Sequence, residues 1–321
     1  MKVQKEERMN TTNFTFLSND GKTAVHAVKW MPESGEVKAI LQITHGMVEF
    51  IERYTTFAEY LTTKGYMVVG HDHIGHGQSV VSKEDWGYFC EESPSDVLVA
   101  DMHKLRTLVQ EENPDVPYFM LGHSMGSFML RKYLAFHHET LRGAIIMGTG
   151  FIPGNMTNLA LKLTSFVTKL KGTKHRSKLI QSLAFGADYK GFDMTGEKPE
   201  DSWLTKDVEI VKAYYNEPRC TYMFTVNGYK GLFEAVNFSC NPENVTKISK
   251  KLPLFIVSGE QDPVGGLGKG VKRVYDMHKD SGALDVTYKL YENDRHEILN
   301  ETDKQIVFED ILAWMNVRID T

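Results

Sequence analysis

A serine stands between two glycines in residues 118–130, which read YFMLGHSMGSFML. Apolar residues before Gly122 suit the end of a buried strand, and apolar residues recur at helical spacing after Gly126. Residues 122–126 have the form G-x-S-x-G, in which small residues allow a sharp turn that exposes the central hydroxyl. The pattern predicts that Ser124 is a nucleophile. On its own, it also fits a glycine-rich loop with an incidental serine.

A serine nucleophile of this kind needs a carboxylate and a histidine, which follow it along the chain at the carboxyl ends of later strands. Asp262 comes just after an apolar run that ends at Ser258, and Glu260 is the competing carboxylate. Of the twelve histidines, only His296 follows Asp262 on a loop at the carboxyl end of a predicted strand. We therefore predict a catalytic triad of Ser124, Asp262 and His296.

Ester or amide hydrolysis through a serine also needs two backbone N–H groups that stabilise the oxyanion. The residue after the nucleophile, Met125, is expected to supply one of them. The other is expected from residues 45–49, HGMVE, which follow an early apolar strand. Within that segment we predict Met47 as the donor, and we expect His45 to brace the turn.

The elements that must position these residues follow an α/β pattern. Apolar strands alternate with amphipathic helices between residues 39 and 147, which predicts a parallel sheet covered on both faces. Residues 151–240 are rich in helix signals and contain no clear buried strand. We predict a core formed by residues 1–150 and 241–321, with residues 151–240 inserted as a helical cap. The central sheet is expected to be mostly parallel and flanked by helices.

The composition excludes several classes of function. The net charge of −5 and the sequence pI of about 6.2 give no electrostatic basis for nucleic-acid binding. The cysteines Cys90, Cys220 and Cys240 are odd in number and widely spaced, which favours reduced thiols over disulfides or zinc ligation. We see neither a signal peptide nor a run of 18 apolar residues, so we predict a cytoplasmic protein without a transmembrane segment.

Residues 71–76, HDHIGH, raise the alternative of a metal site. They differ from the zinc-binding pattern H-x-H-x-D-H only at Gly75, so His71, His73 and His76 could ligate zinc in a metal-dependent hydrolase. The missing aspartate, together with Gly75 and the following Gly77, favours a tight structural loop instead. We therefore expect no metal and no organic cofactor.

Taken together, these motifs resemble the monoacylglycerol lipase and lysophospholipase group of α/β-hydrolases, also described as serine aminopeptidase-like hydrolases. Residues 45–49 with Arg53 and Tyr54 are similar to the oxyanion segment of that group, and GHSMG is its nucleophile turn. Residues 72–79, DHIGHGQS, resemble its D-x-x-G-x-G-x-S loop, and residues 201–206 and 214–220 resemble cap segments of bacterial members. One departure is Phe50, where the group commonly has histidine.

The resemblance implies an α/β-hydrolase fold and a small-molecule acyl ester as substrate, such as a monoacylglycerol or a lysophospholipid. It implies that Glu49 and Arg53 contact the polar head of the substrate. A small-ester carboxylesterase and a serine aminopeptidase remain alternatives, and transient contact of the cap with a membrane surface remains open, as does the oligomeric state. On the first cap helix, we expect Leu163 to line a tunnel for the acyl chain.

Overall fold

The apolar runs of the sequence form one eight-stranded sheet in the computed structural model, which describes residues 9–33 and 36–319. The charged amino-terminal stretch from which we predict no signal peptide lies mostly outside the described residues. The strands are β1 (Asn10–Leu17), β2 (Ala24–Met31), β3 (Ala39–Thr44), β4 (Tyr66–His71), β5 (Tyr118–His123), β6 (Leu141–Met147), β7 (Leu254–Gly259) and β8 (Val286–Tyr291).

The strand order is β1-β2-β4-β3-β5-β6-β7-β8. The strand β2 pairs antiparallel with β1 and β4, and all other neighbours are parallel. The carboxyl ends of β3, β5, β7 and β8 therefore lie along one edge of the sheet. The predicted catalytic and oxyanion residues all follow these four strands.

Helices cover both faces of the sheet. Residues on the central strands alternate between two apolar cores, one on each face, and each core needs helices to shield it from water. On β3, for example, Ile40 belongs to one core and Leu41 and Ile43 to the other. The helices are α1 (Thr55–Thr62), α2 (Pro94–Glu112), α3 (Met125–His137), α4 (Gly154–Lys171), α5 (Lys178–Ala184), α6 (Val208–Asn216), α7 (Val226–Ser239), α8 (Pro242–Val245), α9 (Lys269–Asp280) and α10 (Lys304–Asn316). The predicted α/β fold with a mostly parallel sheet is confirmed.

Four helices, α4 to α7, come from residues 151–240. The last of them, α7, packs against α2 and α3 of the core as well as against α4, so it links the insertion to the rest of the molecule. The assignment of residues 151–240 as a separate cap stays a prediction. No helix among the described residues is both long enough and apolar enough to span a bilayer.

Candidate active site

Ser124 occupies the sharp turn between β5 and α3. Its backbone has φ 54° and ψ −122°, a strained conformation for a residue with a side chain, and its N–H donates to the carbonyl of Met147 at 3.0 Å. The glycine at position 126 is required because a Cβ there would collide with the carbonyl oxygen of Thr44. The chain therefore places the Ser124 side chain at the turn, with partial exposure, as the G-x-S-x-G pattern predicts.

Asp262 and His296 are hydrogen-bonded to each other. The Asp262 Oδ1 atom lies 3.0 Å from His296 Nδ1, and its carboxylate also accepts from Ser258 Oγ at 2.7 Å and from the Val264 N–H at 2.9 Å. Burial raises the pKa of Asp262, but the charge and hydrogen bond of His296 outweigh it and hold that pKa below its usual range. A carboxylate on Nδ1 leaves Nε2 of His296 available for proton transfer.

The competing carboxylate, Glu260, is exposed and points elsewhere. It accepts a hydrogen bond from the N–H of Asn293 at 3.3 Å. The geometry therefore favours Asp262 as the acid partner of His296.

The segment that should supply the second oxyanion donor lies directly against the nucleophile. A Cβ built at Gly46 would be 2.9 Å from Ser124 Cβ, and Val48 adopts a left-handed conformation with φ 56°. Met125 is the first residue of α3, where a backbone N–H has no partner within the helix. Met47 and Met125 both line the same cavity as Ser124, and their oxyanion role stays a prediction.

Glu49 is buried and has four hydrogen-bonding partners in the protein. Its carboxylate accepts from the Gly46 N–H at 2.5 Å, Arg53 Nη1 at 3.0 Å and Tyr54 Oη at 3.0 Å, and it lies 3.1 Å from His123 Nδ1. Burial raises the pKa of Glu49, but His123 and Arg53 outweigh it and hold that pKa well below its usual range. Glu49 therefore fixes the oxyanion segment through Gly46, while also lining the cavity.

Arg53 is held between two carboxylates. Its guanidinium donates to both carboxylate oxygens of Glu297 at 2.7 Å and to Glu49 at 3.0 Å, and it lies 4.9 Å from the ring centre of Tyr214. Burial lowers the pKa of the Arg53 guanidinium, but Glu297 and Glu49 outweigh this effect and hold that pKa well above its usual value. Arg53 is not among the residues that line the cavity, so the contact with a substrate head expected for it stays a prediction.

The zinc alternative is not favoured by the geometry of the histidines. His71, His73 and His76 are fully buried, and burial lowers the pKa of His71 and of His76 to about 3. Among the described residues, only His26, Glu52 and Asp72 bring three candidate ligand atoms within 4.8 Å of one another.

The last of these carboxylates, Asp72, already has a structural role. It accepts hydrogen bonds from the N–H groups of Ile51 and Gln78, both at 2.8 Å, and lies 3.0 Å from His26 Nδ1. These contacts make the segment around Asp72 a structural loop next to the oxyanion segment.

A cavity of about 1440 Å³ lies between the edge of the sheet and the helices of the insertion, and Ser124 and His296 both line it. Its apolar wall includes Phe128, Met156, Leu159, Tyr229, Leu232 and Phe233. On α4, Ala160 lines the cavity, whereas Leu163 does not, so the prediction for Leu163 is wrong. Helical spacing alone could not identify which face of α4 meets the cavity.

Three residues around the triad were not singled out from the sequence. His123 and Trp203 both pack against the His296 ring, and Glu297 holds Arg53. Two of them carry a signal in the sequence, because His123 lies inside the G-x-S-x-G turn and Trp203 lies in residues 201–206, which resemble a cap segment.

Known proteins share this architecture. Residues 35–303 match the family model described as serine aminopeptidase, S33. The monoacylglycerol lipase of Mycolicibacterium smegmatis is 24% identical over 289 residues, covering 89% of this chain and 90% of its own, and the monoglyceride lipase of Rattus norvegicus is 26% identical over 299 residues, covering 90% and 86%. A crystal structure of a thermostable carboxyl esterase from Bacillus coagulans, in complex with glycerol, superposes with a TM-score of 0.87 at 29% identity, covering 97% of this chain and all of that one.

The sheet order, the strained serine after β5 and the histidine–carboxylate pair after β8 and β7 define an α/β-hydrolase. The match over residues 35–303 shows that the chain belongs to the serine aminopeptidase, S33, family. The resemblance drawn from the sequence is thereby confirmed, and the chain is a serine ester hydrolase.

Proposed function

We propose that this chain hydrolyses the carboxylic ester of a single-chain lipid, foremost a monoacylglycerol, through an acyl-enzyme on Ser124. The observation that carries the proposal is the cavity of about 1440 Å³, whose largely apolar wall includes Ser124 and His296. A lipid with one long chain and a small polar head suits such a cavity. The names of the mycobacterial and rat relatives support the same substrate class.

In the proposed reaction, His296 Nε2 accepts the hydroxyl proton of Ser124 as Oγ bonds to the ester carbonyl carbon. Asp262 orients the imidazole and stabilises the imidazolium, and the N–H groups of Met47 and Met125 donate to the oxyanion. Collapse breaks the bond to the alcohol, which leaves with the proton from His296. Water then gives a proton to His296 and attacks the acyl carbonyl carbon. The bond to Ser124 Oγ breaks, Oγ takes the proton back from His296, and the fatty acid leaves. No step requires a metal or an organic cofactor.

The hydrogen bonds of Glu49 and Arg53 suggest a division of roles between them. We propose that Glu49 fixes the oxyanion segment through its bond to the Gly46 N–H and also meets the polar head of the substrate at the cavity wall. Arg53, paired with Glu297 and Glu49, is proposed to hold Glu49 in place. On this account, Arg53 acts on the substrate only through Glu49.

We also propose that α4 contacts a membrane surface from which the lipid enters. Four apolar side chains at spacings of three, seven and four residues are 58–63% exposed on this helix: Met156, Leu159, Phe166 and Leu170. Exposed lysines accompany them at Lys162, Lys169 and Lys171. An apolar face flanked by cations is typical of helices that lie in a lipid–water interface.

Sedimentation with vesicles of phosphatidylcholine and phosphatidylglycerol tests this contact. Phe166→Glu with Leu170→Glu should reduce the bound fraction severalfold, because two buried anions oppose insertion. Leu284→Glu is the matched control, since Leu284 is 72% exposed just before β8. Equal binding of all three proteins would contradict a role for α4.

A cytoplasmic location remains part of the proposal. It is supported by Cys90, Cys220 and Cys240, which are all free and buried, as expected for a reducing compartment. Fractionation of the native cells tests this location. Recovery of the protein outside the cytoplasmic fraction would contradict it.

The substrate class is tested with a panel at equal concentrations: 1-oleoylglycerol, 1-oleoyl-lysophosphatidylcholine, p-nitrophenyl acetate and a proline aminopeptide substrate. The proposal predicts the largest kcat/KM for 1-oleoylglycerol and the loss of at least about a thousandfold of this activity in Ser124→Ala. A dominant lysophospholipid rate would assign a phosphodiester head. A dominant acetate or peptide rate would overturn the lipid proposal.

A further inference from the structure

Residues 200–206, here called the strap, wrap around the loop that carries His296. The N–H groups of His296 and Glu297 donate to the carbonyls of Trp203 and Leu204 at 3.4 and 2.7 Å. From the same loop, Arg295 Nη1 donates to the carbonyl of Ser202 at 2.5 Å. The strap thus accepts hydrogen bonds from the backbone of His296 and Glu297 and from the side chain of Arg295, although it belongs to the insertion.

A partly exposed lysine and two buried carboxylates hold the far end of the strap. Lys206 Nζ donates to Asp294 Oδ1 at 2.8 Å, and the Lys206 N–H donates to Glu301 Oε2 at 3.0 Å. Asp294 and Glu301 are both buried, and Asp294 lies two residues before His296. The Lys206 side chain is 30% exposed, but its departure would leave the charges of two buried carboxylates uncompensated. The strap and the histidine loop therefore form one unit.

The strap brings an indole onto the imidazole. The ring centres of Trp203 and His296 are 5.0 Å apart with an interplanar angle of 28°, and His123 lies on His296 at 4.6 Å and 38°. Tyr189 packs edge-on against Trp203 at 5.4 Å and supports it from the insertion. With Asp262 on its Nδ1 atom, the His296 ring is confined by one hydrogen bond and by two neighbouring rings.

We propose that Trp203 is a positioning residue that fixes the plane of the His296 imidazole and stabilises it when it carries a proton. An indole face attracts a cation, and this attraction is strong where water is excluded. The proposal rests on the proposed role of His296 as the base. It assigns a catalytic contribution to the insertion, whose other role is to enclose the substrate.

The test compares Trp203→Ala and Trp203→Leu with Trp203→Phe, using p-nitrophenyl butyrate and a small fluorophosphonate. Misplacement of the base should lower kcat and the rate of phosphonylation together by about 10- to 100-fold in the alanine and leucine variants, with KM within about twofold. Phenylalanine, which retains a π face, should stay within about fivefold of the parent. Trp86→Ala is the matched control, because Trp86 stacks on Tyr222 at 5.6 Å and does not line the cavity.

A proton NMR spectrum separates positioning from general destabilisation. The proton on His296 Nδ1, which is hydrogen-bonded to Asp262, should give a far-downfield resonance. This resonance should broaden in the alanine and leucine variants and persist in the phenylalanine variant. Unchanged kcat, a loss confined to KM, or an equal loss in all three variants would overturn the inference. If His296→Ala itself retained activity, the proposed function would fail instead.

Discussion

At the scale of single residues, one buried set of charges connects the loop of His296 to residues 45–49, the predicted oxyanion segment. Glu49 accepts from the Gly46 N–H beside the nucleophile and lies 3.1 Å from His123 Nδ1. On the other side of the His123 ring, Nε2 lies 3.2 Å from the carbonyl oxygen of His296. Burial lowers the pKa of His123, but Glu49 outweighs it and raises that pKa. Both ring nitrogens therefore face acceptors, as a doubly protonated imidazole requires.

The choice of the acid residue gives the first prediction. Asp262→Asn should lower kcat for an ester by about 10³- to 10⁴-fold, because the amide no longer holds the imidazole in its reactive tautomer. Glu260→Gln should lower it less than about threefold, since Glu260 is exposed and bonded to the Asn293 N–H. Steady-state kinetics on p-nitrophenyl butyrate checks both variants. The opposite ranking would transfer the acid role to Glu260.

The sequence allows a triad to be predicted because Ser124, Asp262 and His296 follow predicted strands in a recognisable order, and their catalytic roles stay a prediction. It could not identify Trp203, whose ring meets His296 from 93 positions away along the chain, or the partners of Arg53. Such contacts depend on how the insertion folds back onto the core, and no local pattern encodes them. The sequence likewise placed Arg53 near the predicted oxyanion segment. It did not show that the Arg53 guanidinium would donate to the carboxylate of Glu297.

At the scale of elements, the central strands β3 to β7 were the most predictable part because each is a short, largely apolar run. The helix α7 was not predicted. Its glycines at positions 228 and 231 lower helix propensity, yet a Cβ at Gly228 would collide with the carbonyl of Gly87, and one at Gly231 would lie 2.7 Å from Phe89. These glycines allow α7 to approach the core closely. Tertiary packing therefore overrides the local preference in this helix.

The face that α4 presents to the cavity gives the second prediction. Ala160→Phe should narrow the cavity and lower kcat/KM about tenfold for a C16 ester while sparing the butyrate, because each excluded methylene forfeits about 0.8 kcal/mol. Leu163 on the same helix does not line the cavity, so Leu163→Trp should leave the ratio of kcat/KM for the C16 ester to that for the butyrate unchanged. The ratio of the two rates is the measurement. A larger effect from Leu163→Trp would contradict the orientation of α4.

At the scale of the whole molecule, buried histidines make stability depend on pH. Burial lowers the pKa of His71, His76 and His278 to about 3, against about 6.5 in the unfolded chain. Below pH 6.5 the unfolded chain therefore binds more protons. Each histidine should reduce the free energy of unfolding by about 1.4 kcal/mol per pH unit as the pH falls. The pKa values of His26 and His123 are raised, so well below pH 6.5 both residues are protonated in the folded and the unfolded chain. In that range they add nothing to the change of stability with pH.

Urea unfolding at pH 7.5, 6.0 and 5.0 measures this slope. We expect a steep loss of stability between pH 6 and pH 5, and a shallower loss in His278→Gln, which removes one of these groups. A free energy of unfolding that stays constant or rises towards pH 5 would contradict neutral burial of these histidines.

The whole molecule combines a sheet edge that carries the reactive groups with an insertion that encloses an apolar cavity above them. The most direct test of this account is kcat/KM of the unmodified protein on monoacylglycerols from C4 to C18. Because each buried methylene contributes about 0.8 kcal/mol, kcat/KM should rise severalfold for each added pair of carbons until the cavity is full. A flat profile across the series would contradict binding of a lipid chain and leave a small-ester hydrolase as the better description.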